Sequence, residues 1–225
     1  MALDNLIIFG AGSFLAKKIL EKINAKKIIC ISKSLKKFKK KNLYIFRDYG
    51  SDNKKKIDKL MSGKKNTVLF MSNYTKDNLI HNKSKSEITK EINLSVIDCF
   101  ENAKNISKIM IKENFGTIIF FGSSRGLKSD VGISGYSISK NAINGLSKSI
   151  SREMARFNIT SNYLSLGFFE SPLFDKIDTK TKIKLIDKTD KKNPGDINSV
   201  INSIYFLYKS RYVTGSIIKI DGGYA

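Results

Sequence analysis

Short apolar runs recur along this chain, separated by longer segments in which apolar residues return every three or four positions. Runs of this kind are typical of buried strands, and the longer segments are typical of helices. The pattern predicts helices most clearly at Phe14–Ile23, Lys85–Ile111, Ser134–Phe157 and Ile197–Tyr208. It predicts seven strands, at Leu6–Phe9, Ile28–Ser32, Leu43–Phe46, Val68–Met71, Thr117–Phe121, Thr160–Ser165 and Ser216–Ile220.

The alternation of strands and helices predicts the fold class. It indicates an α/β protein with a doubly wound parallel sheet of about seven strands, a Rossmann fold. A chain of 225 residues is long enough for one sizeable core, and no Pro/Gly-rich linker divides it. We therefore expect a single domain, residues 1–225, that binds its ligand at the carboxyl ends of the strands.

Hydrophobic residues make up 41% of the chain, but no stretch approaches the roughly 20 apolar residues of a membrane span. The first apolar run begins almost at once, without the long hydrophobic region of a signal peptide. We expect a cytoplasmic protein with no membrane association. Cys30, Cys99 and His81 lack the spacing of metal ligands or of a disulfide framework, so no metal site is predicted.

The net charge is strongly positive, with 41 lysines and arginines against 20 acidic residues. Such a charge attracts anionic partners, including phosphorylated cofactors, acidic carrier proteins and nucleic acid. Lysine is spread along the whole chain, however, rather than clustered on one segment. Arginine, whose side chain hydrogen-bonds to bases, is scarce. Nucleic acid is therefore disfavoured as a partner. The arginines are Arg47, Arg125, Arg152, Arg156 and Arg211.

A glycine-containing turn follows the first predicted strand and opens the first helix. Backbone N–H groups at such a helix start bind phosphate, and glycine lets the pyrophosphate of a dinucleotide approach closely. The third position of the G-x-G-x-x-G pattern is not glycine, so the context carries more weight than the motif. The predicted cofactor contacts here are Gly10, Gly12, Ser13, Phe14 and Leu15.

The end of the second strand bears on the identity of the dinucleotide. A ribose with a free 2′-hydroxyl is usually held by an Asp or Glu at this place, and the chain has none. Ser32 and Lys33 stand there instead and supply a hydroxyl and a cation suited to a 2′-phosphate. The sequence therefore favours NADP(H) over NAD(H).

A candidate proton-donating site lies later in the chain. Ser123 follows the fifth predicted strand, and Tyr136 precedes Lys140 by one helical turn, so the phenol and the amine share a helix face. Lysine is so abundant that a second Tyr-x-x-x-Lys pair occurs by chance at Tyr205 and Lys209. Tyr205 lies in an apolar stretch with no hydroxyl at the matching distance upstream, so we interpret it as a packing residue.

These residue types suit reduction of a carbonyl group. We expect the ammonium of Lys140 to lower the pKa of the Tyr136 phenol from its ordinary value of about 10. Tyr136 then donates a proton to the carbonyl oxygen as hydride arrives from a reduced nicotinamide, and Ser123 hydrogen-bonds the same oxygen. Each side chain taken singly also has an ordinary structural explanation, but their order along the chain makes coincidence improbable.

The glycine turn, Ser123, Tyr136-x-x-x-Lys140 and the ending Thr214-Gly215…Asp221-Gly222-Gly223 together resemble the short-chain dehydrogenase/reductase family nearly end to end. The resemblance is greatest to members that reduce 3-oxoacyl groups on acyl carrier protein. It implies a small-molecule or carrier-linked carbonyl substrate and a homodimer or homotetramer paired through the two long helices. It also implies that Asn93 completes a catalytic tetrad with Ser123, Tyr136 and Lys140, and that the cofactor contacts include Asp48, Ser72, Asn73, Tyr136, Lys140, Gly167 and Ser171.

Two departures from the family pattern keep other functions open. Phe14 and Ala16 replace two glycines of the turn, and Met71-Ser72-Asn73-Tyr74 replaces the usual Asn-Asn-Ala-Gly. They motivate an alternative, a nucleotide-binding scaffold or sensor with weak or no activity. The charge motivates a second alternative, an anion-binding or nucleic-acid-binding protein. Residues 168–193, placed by position to form a substrate lid, do not identify the substrate.

Overall fold

The computed structural model describes residues 2–35, 37–170 and 178–224, and these build one parallel β-sheet with helices on both faces. The sheet has the strand order β3-β2-β1-β4-β5-β6-β7. The doubly wound parallel fold predicted from the apolar runs is therefore confirmed. The strands are β1 (Leu3–Phe9), β2 (Ala25–Ile31), β3 (Leu43–Phe46), β4 (Asn66–Phe70), β5 (Gly116–Ser123), β6 (Ile159–Leu166) and β7 (Ile217–Ile220).

The helices agree with the predicted ones where the apolar period is long and differ where the element is short. The predicted helix Lys85–Ile111 is present as two α-helices joined by the π-helical turn Asn93–Ile97, and the last predicted helix begins at its expected cap, Asp196. Three further helices lie between strands at places where the sequence pattern did not single out a helix. The α-helices are α1 (Phe14–Lys22), α2 (Ser51–Met61), α3 (Lys85–Ile92), α4 (Asp98–Glu113), α5 (Ser124–Lys128), α6 (Ser134–Met154), α7 (Thr179–Asp187) and α8 (Ile197–Lys209).

The central strands read as unbroken apolar runs because both faces of the sheet are covered. Successive side chains of a strand point to opposite faces, so a buried parallel strand contributes to two cores. In β1, Leu6 and Ile8 join the core beneath α1 and α8, whereas Ile7 and Phe9 join the core beneath α4 and α6. β2 starts earlier than predicted because its polar first residues still pair with β1, as Lys27 does with Asn5.

Three phenylalanines stack across the middle of the sheet. Phe9 of β1 and Phe70 of β4 have ring centroids 4.8 Å apart, and Phe70 and Phe120 of β5 have centroids 5.0 Å apart. The rings are nearly parallel, with interplanar angles of 11° and 13°. Phe9 and Phe70 each end their strand, so this stack forms an apolar floor just below the carboxyl edge of the sheet.

The carboxyl-terminal segment is tied to the centre of the sheet through buried polar side chains. Asp221, which follows β7, accepts a hydrogen bond from the hydroxyl of Ser124. The same hydroxyl lies 2.8 Å from the Ser165 hydroxyl of β6. Buried polar groups are costly unless they are hydrogen-bonded, so this network fixes where β5, β6 and β7 end relative to one another.

Neither a membrane-spanning helix nor a metal-binding cluster is found in the described part of the chain. Among the described residues, no helix is long and apolar enough to cross a membrane. The same residues contain no group of three or more His, Cys, Asp or Glu side chains that is arranged to hold a metal ion.

Gly122 provides a test of the packing that supports the candidate site. A Cβ atom at this position would lie 1.8 Å from the ring of Tyr163, whose side chain is fully buried. We expect Gly122→Ala to lower the free energy of unfolding by about 1–3 kcal/mol, the usual cost of overpacking a core. Urea unfolding measures the loss. It should shrink when Gly122→Ala is made in a Tyr163→Leu background, and equal losses in both backgrounds would contradict this account.

Candidate active site

Residues at the carboxyl ends of four central strands lie close together at the point where the strand order of the sheet reverses. β1 has β2 on one side and β4 on the other, so its end is the switch point at which α/β proteins bind ligands. Two cavities open there and share Asn73 in their walls. The first lies along β1, β2 and β4 and has a volume of about 490 Å³, and the second lies beside β5 and β6 and has a volume of about 380 Å³.

The turn after β1 is shaped by Gly10. Its φ of +80° is rarely adopted by other residues, and a Cβ atom there would lie 2.5 Å from the backbone nitrogen of Ser72. Ser13 caps α1 by accepting a hydrogen bond from the Ala16 N–H at 3.2 Å. The helix start therefore faces the first cavity in the manner of a phosphate-binding turn.

The first cavity collects most of the residues predicted to bind a cofactor. Its size lies within the usual range for small-molecule and cofactor sites, and a glycine turn, hydroxyls and cations fit the phosphates of a dinucleotide. Arg47, at the end of β3, lines the same cavity and was missed, although its position beside Asp48 was a usable signal. The predicted residues that line the cavity are Gly10, Gly12, Ser13, Ser32, Lys33, Asp48, Ser72 and Asn73.

Phe14 and Leu15 do not line this cavity. Their side chains line a neighbouring cavity of about 330 Å³ together with Phe169, and Leu15 packs against the core. The Lys18 ammonium lies 5.7 Å from the centroid of the Phe14 ring. Phe14 is the first residue of α1, and its side chain points away from the groove. The ring that replaces a family glycine therefore leaves the groove open.

Asp48 is already held by its own turn. Its Oδ1 accepts hydrogen bonds from the Gly50 N–H at 3.0 Å and from the Asn53 amide at 3.1 Å. These bonds, with smaller effects from Arg47 and Lys33, lower the pKa of Asp48 below its ordinary value. The carboxylate is exposed and oriented towards the groove, where it is able to accept a further hydrogen bond.

Ser123, Tyr136 and Lys140 come together as predicted. Ser123 ends β5, and its hydroxyl accepts a hydrogen bond from the Gly126 N–H at 3.2 Å. Its own N–H donates to the hydroxyl of the buried Tyr163 at 3.2 Å, which fixes the strand end. Both Ser123 and Tyr136 line the second cavity, and the Lys140 ammonium lies 5.5 Å from the centroid of the Tyr136 ring.

The electrostatics of Tyr136 differ from the expectation. Burial raises the pKa of Tyr136 above its ordinary value, and Asp77 acts in the same direction. The Ser123 hydroxyl and the charge of Arg125 lower that pKa but do not outweigh burial. The expected acidification by Lys140 is therefore not found in the chain alone, because loss of water around the phenol is the larger effect.

The Lys140 ammonium is buried, and it has one hydrogen-bond acceptor among the described residues, which is a backbone carbonyl. Its side chain is 8% exposed, and its ammonium donates to the carbonyl of Phe121 at 2.9 Å. Burial lowers the pKa of Lys140 from 10.5 to about 8, since the ammonium is poorly solvated there. The amine is therefore protonated at neutral pH and begins to lose its proton only slightly above it.

Asn93, the fourth member of the implied tetrad, lines neither of the two cavities. It begins the π-helical turn, its side chain is exposed, and within the described residues that side chain makes no hydrogen bond. Ser95 in the same turn points inward instead, and its hydroxyl bonds the backbone N–H and carbonyl of Tyr74 at 2.9 and 3.0 Å. The relay role of Asn93 stays a prediction.

The second cavity has the position expected of a substrate pocket. Gly167 lines it, as does Phe168, whose ring meets that of Tyr224 edge-on at a centroid distance of 5.6 Å. Arg125 contributes to the wall and was not predicted from the sequence. Of the segment expected to form a lid, residues 171–177 lie outside the described residues, and Ser171 is one of them.

The second Tyr-x-x-x-Lys pair has the structural role assigned to it. The Tyr205 hydroxyl accepts a hydrogen bond from the Asn24 N–H at 2.8 Å, and its ring packs on the core beneath α1 and α8. This contact ties α8 to the start of β2, away from both cavities.

Comparison with known proteins identifies the family. A family model described as enoyl-(acyl carrier protein) reductase matches residues 63–225. The 3-oxoacyl-[acyl-carrier-protein] reductase FabG of Buchnera aphidicola is 29% identical over 232 residues, which cover 96% of this chain and 95% of that protein. The chain belongs to the short-chain dehydrogenase/reductase family, a family of oxidoreductases.

Solved structures share the fold of this chain. A short chain dehydrogenase from Leptospira borgpetersenii with bound NAD+ has a TM-score of 0.85 and 18% identity, covering 100% of this chain and 93% of that one. ElxO with bound NADP has a TM-score of 0.84 and 21% identity, covering 99% and 98%. One of these structures holds NAD+ and the other holds NADP, so the fold alone does not select between the two dinucleotides.

The buried amine generates a pH-dependent prediction. Between pH 8 and pH 10.5 the unfolded chain keeps the Lys140 proton while the folded chain loses it, so this group makes the free energy of unfolding rise with pH. Lys140→Met removes the effect. We expect the stability of the wild type relative to this variant to increase by about 3 kcal/mol across that window. Denaturant unfolding at pH 7 and pH 10.5 tests this, and a constant difference would contradict it.

Proposed function

We propose that this protein is an NADPH-dependent reductase that converts a carbonyl group to an alcohol in a reversible reaction. One observation carries the proposal: the Ser123 hydroxyl and the Tyr136 phenol line a cavity that adjoins a groove fitted to a dinucleotide. Similarity to a relative named 3-oxoacyl-[acyl-carrier-protein] reductase also supports the reduction of a carbonyl group. The substrate is accordingly a small carbonyl compound or a carbonyl group on an acyl carrier.

The protein's own residues would handle the proton and the orientation of the carbonyl. A bound reduced nicotinamide supplies the hydride. Tyr136 donates its phenolic proton to the carbonyl oxygen, and Ser123 donates a hydrogen bond to the same oxygen and fixes its direction. The Lys140 ammonium, behind the Tyr136 ring, stabilises the phenolate that remains.

The raised pKa of Tyr136 supports the reductive direction. A phenol that keeps its proton at neutral pH is in the state required to donate it to a carbonyl oxygen. In the reverse direction the same group must first be deprotonated. The positive charge of an oxidised nicotinamide near the ring would favour that ionised state, together with Lys140.

The preference for NADP(H) is supported by two cations at the adenosine end of the groove. Lys33 follows β2 and Arg47 follows β3, and both side chains are exposed and line the groove. β2 ends without the carboxylate that would hydrogen-bond a free 2′-hydroxyl. A 2′-phosphate placed there would meet both cations, whose charges outnumber that of the neighbouring Asp48 carboxylate.

We also propose that two or four copies of the chain assemble through α4 and α6. Ile97, just before α4, Phe100 on α4 and Ile138 on α6 are large apolar side chains exposed to solvent in the single chain. Burial against a second copy would remove this surface from water. Sedimentation of the purified protein distinguishes a dimer and a tetramer from a monomer, and a monomer would contradict the proposal.

The alternative function, a nucleotide-binding scaffold or sensor without turnover, has one observation in its favour. Asn93, the residue expected to complete the relay, is exposed and lines neither cavity. That function requires NADPH binding together with no turnover on a broad panel of carbonyl compounds. Turnover that depends on Tyr136 excludes it.

Replacement of the phenol tests the proposed chemistry. Tyr136→Phe should lower kcat for reduction by roughly 10²–10⁴-fold, the contribution of a positioned general acid, while NADPH binding is retained. Tyr205→Phe is the matched control, since it removes a hydroxyl from the other Tyr-x-x-x-Lys pair and should leave kcat unchanged. NADPH oxidation measures turnover, and cofactor fluorescence measures binding. Full activity in Tyr136→Phe would refute the assigned role.

The two cations at the end of the groove generate a cofactor prediction. Lys33→Ala and Arg47→Ala should each raise the Kd for NADPH by roughly ten-fold and leave the Kd for NADH nearly unchanged. Lys55→Ala, which removes an exposed charge on α2 outside the groove, is the control for net charge. Equal effects on both nucleotides would show that these cations do not read a 2′-phosphate.

A further inference from the structure

Arg125 places a guanidinium group in the wall of the substrate cavity. It lies two residues after Ser123, in the first turn of α5, and lines the same cavity as Ser123 and Tyr136. Its influence on the ionisation of Tyr136 indicates that its charge lies close to the phenol. A fixed positive charge beside a reacting carbonyl bears on which substrates bind.

The guanidinium is oriented by one partner and leaves its outer edge available. Its Nε donates to Oδ2 of Asp130 at 3.1 Å. Its two terminal nitrogens have no partner among residues 2–35, 37–170 and 178–224. Arginine presents its donors as a planar fork that matches a carboxylate, and holding Nε fixes the plane of that fork.

Asp130 orients Arg125 without neutralising the region. The same carboxylate also lies 3.4 Å from the Lys188 ammonium and accepts a hydrogen bond from the Tyr224 hydroxyl at 3.4 Å. A third cation, Lys128, lies 5.5 Å from the centroid of the Tyr224 ring. One carboxylate is thus shared between two cations and a hydroxyl among the described residues, so it does not neutralise Arg125 by itself.

The remaining charge that the described residues contribute to the cavity wall does not cancel Arg125. Asp77 lines the cavity, but it is exposed, and its Oδ1 accepts a hydrogen bond from the Thr75 hydroxyl at 3.0 Å. It makes no ion pair with Arg125. Arg125 is the more enclosed of the two, with its side chain 35% exposed, so an anion gains more by binding to it.

We propose that Arg125 binds a carboxylate carried by the substrate, so that the substrate class is oxo acids whose carboxylate lies a few bonds from the reacting carbonyl. This rests on the proposed function for the reduction itself. The reaction would convert an oxo acid, NADPH and a proton to the hydroxy acid and NADP+. The carboxylate accepts hydrogen bonds from the terminal nitrogens of Arg125, and the carbonyl oxygen faces Ser123 and Tyr136.

The test compares an acid with its neutral ester. The wild type should reduce 3-oxobutanoate with a higher kcat/KM than methyl 3-oxobutanoate. Arg125→Gln should lower kcat/KM for the acid by roughly 10–100-fold, the usual effect of losing charge-assisted hydrogen bonds. The loss for the ester should be several-fold smaller. Arg152→Gln, an exposed charge on α6 outside the cavity, is the control and should change neither value.

Comparing the two substrates separates recognition from other roles of Arg125. A change in the ionisation of Tyr136 or in local folding would lower both rates equally, and an equal loss would overturn the proposal. A wild type that prefers the ester would also overturn it.

A binding measurement separates this proposal from the proposed function. Titration calorimetry with succinate, which has two carboxylates and no ketone, should show binding to the NADPH complex that weakens at least ten-fold in Arg125→Gln. Such binding without turnover of any oxo acid would refute the reductase function and leave the Arg125 site intact. Absence of succinate binding, or binding unchanged by Arg125→Gln, would overturn the site. Inorganic phosphate should bind more weakly than succinate, and tighter phosphate binding would overturn the assignment to carboxylates.

Discussion

At the carboxyl edge of the sheet, two glycines let neighbouring groups approach more closely than a side chain on the glycine would allow. Gly10 brings the turn after β1 against the backbone of Ser72, and Gly122 brings β5 against the ring of Tyr163. The first approach opens the groove at the start of α1. The second places the backbone of Ser123 within hydrogen-bonding distance of the Tyr163 hydroxyl. Cofactor groove and proton-donating site therefore depend on the same kind of contact, made at two neighbouring places along one edge.

A second theme of the site is the balance between burial and charge. The Tyr136 phenol and the Lys140 amine both lose water, and both pKa values shift towards the neutral form of the group. For the phenol this favours the protonated acid, which donates a proton. For the amine it leaves an ammonium that is protonated at neutral pH but weakly held, with the Phe121 carbonyl as its acceptor. Burial of the site thus keeps the Tyr136 phenol protonated and brings the pKa of the Lys140 ammonium close to neutral pH.

The sequence was informative where residues repeat with a clear period or stand at fixed spacing. The apolar runs located all seven strands, and the spacing of Ser123, Tyr136 and Lys140 identified a cluster that the fold assembles. It was less informative where geometry depends on local winding. Nothing in the amino-acid sequence around Asn93 indicates a π-helical turn. That turn determines that Ser95, and not Asn93, points inward. The direction taken by Phe14 could not be read either, because it depends on how α1 leaves the glycine turn.

Electrostatics were the hardest property to infer, since they depend on neighbours that are distant in the chain. The sequence showed a lysine one turn from a tyrosine, but it did not show how much water the fold removes from both. Arg125 was passed over as one cation among many. Its position in the substrate cavity follows from α5, a five-residue helix that begins directly where β5 ends and has too little apolar period to be predicted.

The stacked rings of Phe9, Phe70 and Phe120 have a consequence for how this protein tolerates change. Each ring stacks on the next, and Phe9 and Phe70 are the last residues of their strands. Replacing one ring with a smaller side chain removes packing contacts from the neighbouring ring and leaves a cavity beneath the cofactor groove. Homologous chains that depart from phenylalanine at one of these places are therefore expected to have altered the others in concert, so that the three sites evolve as a unit.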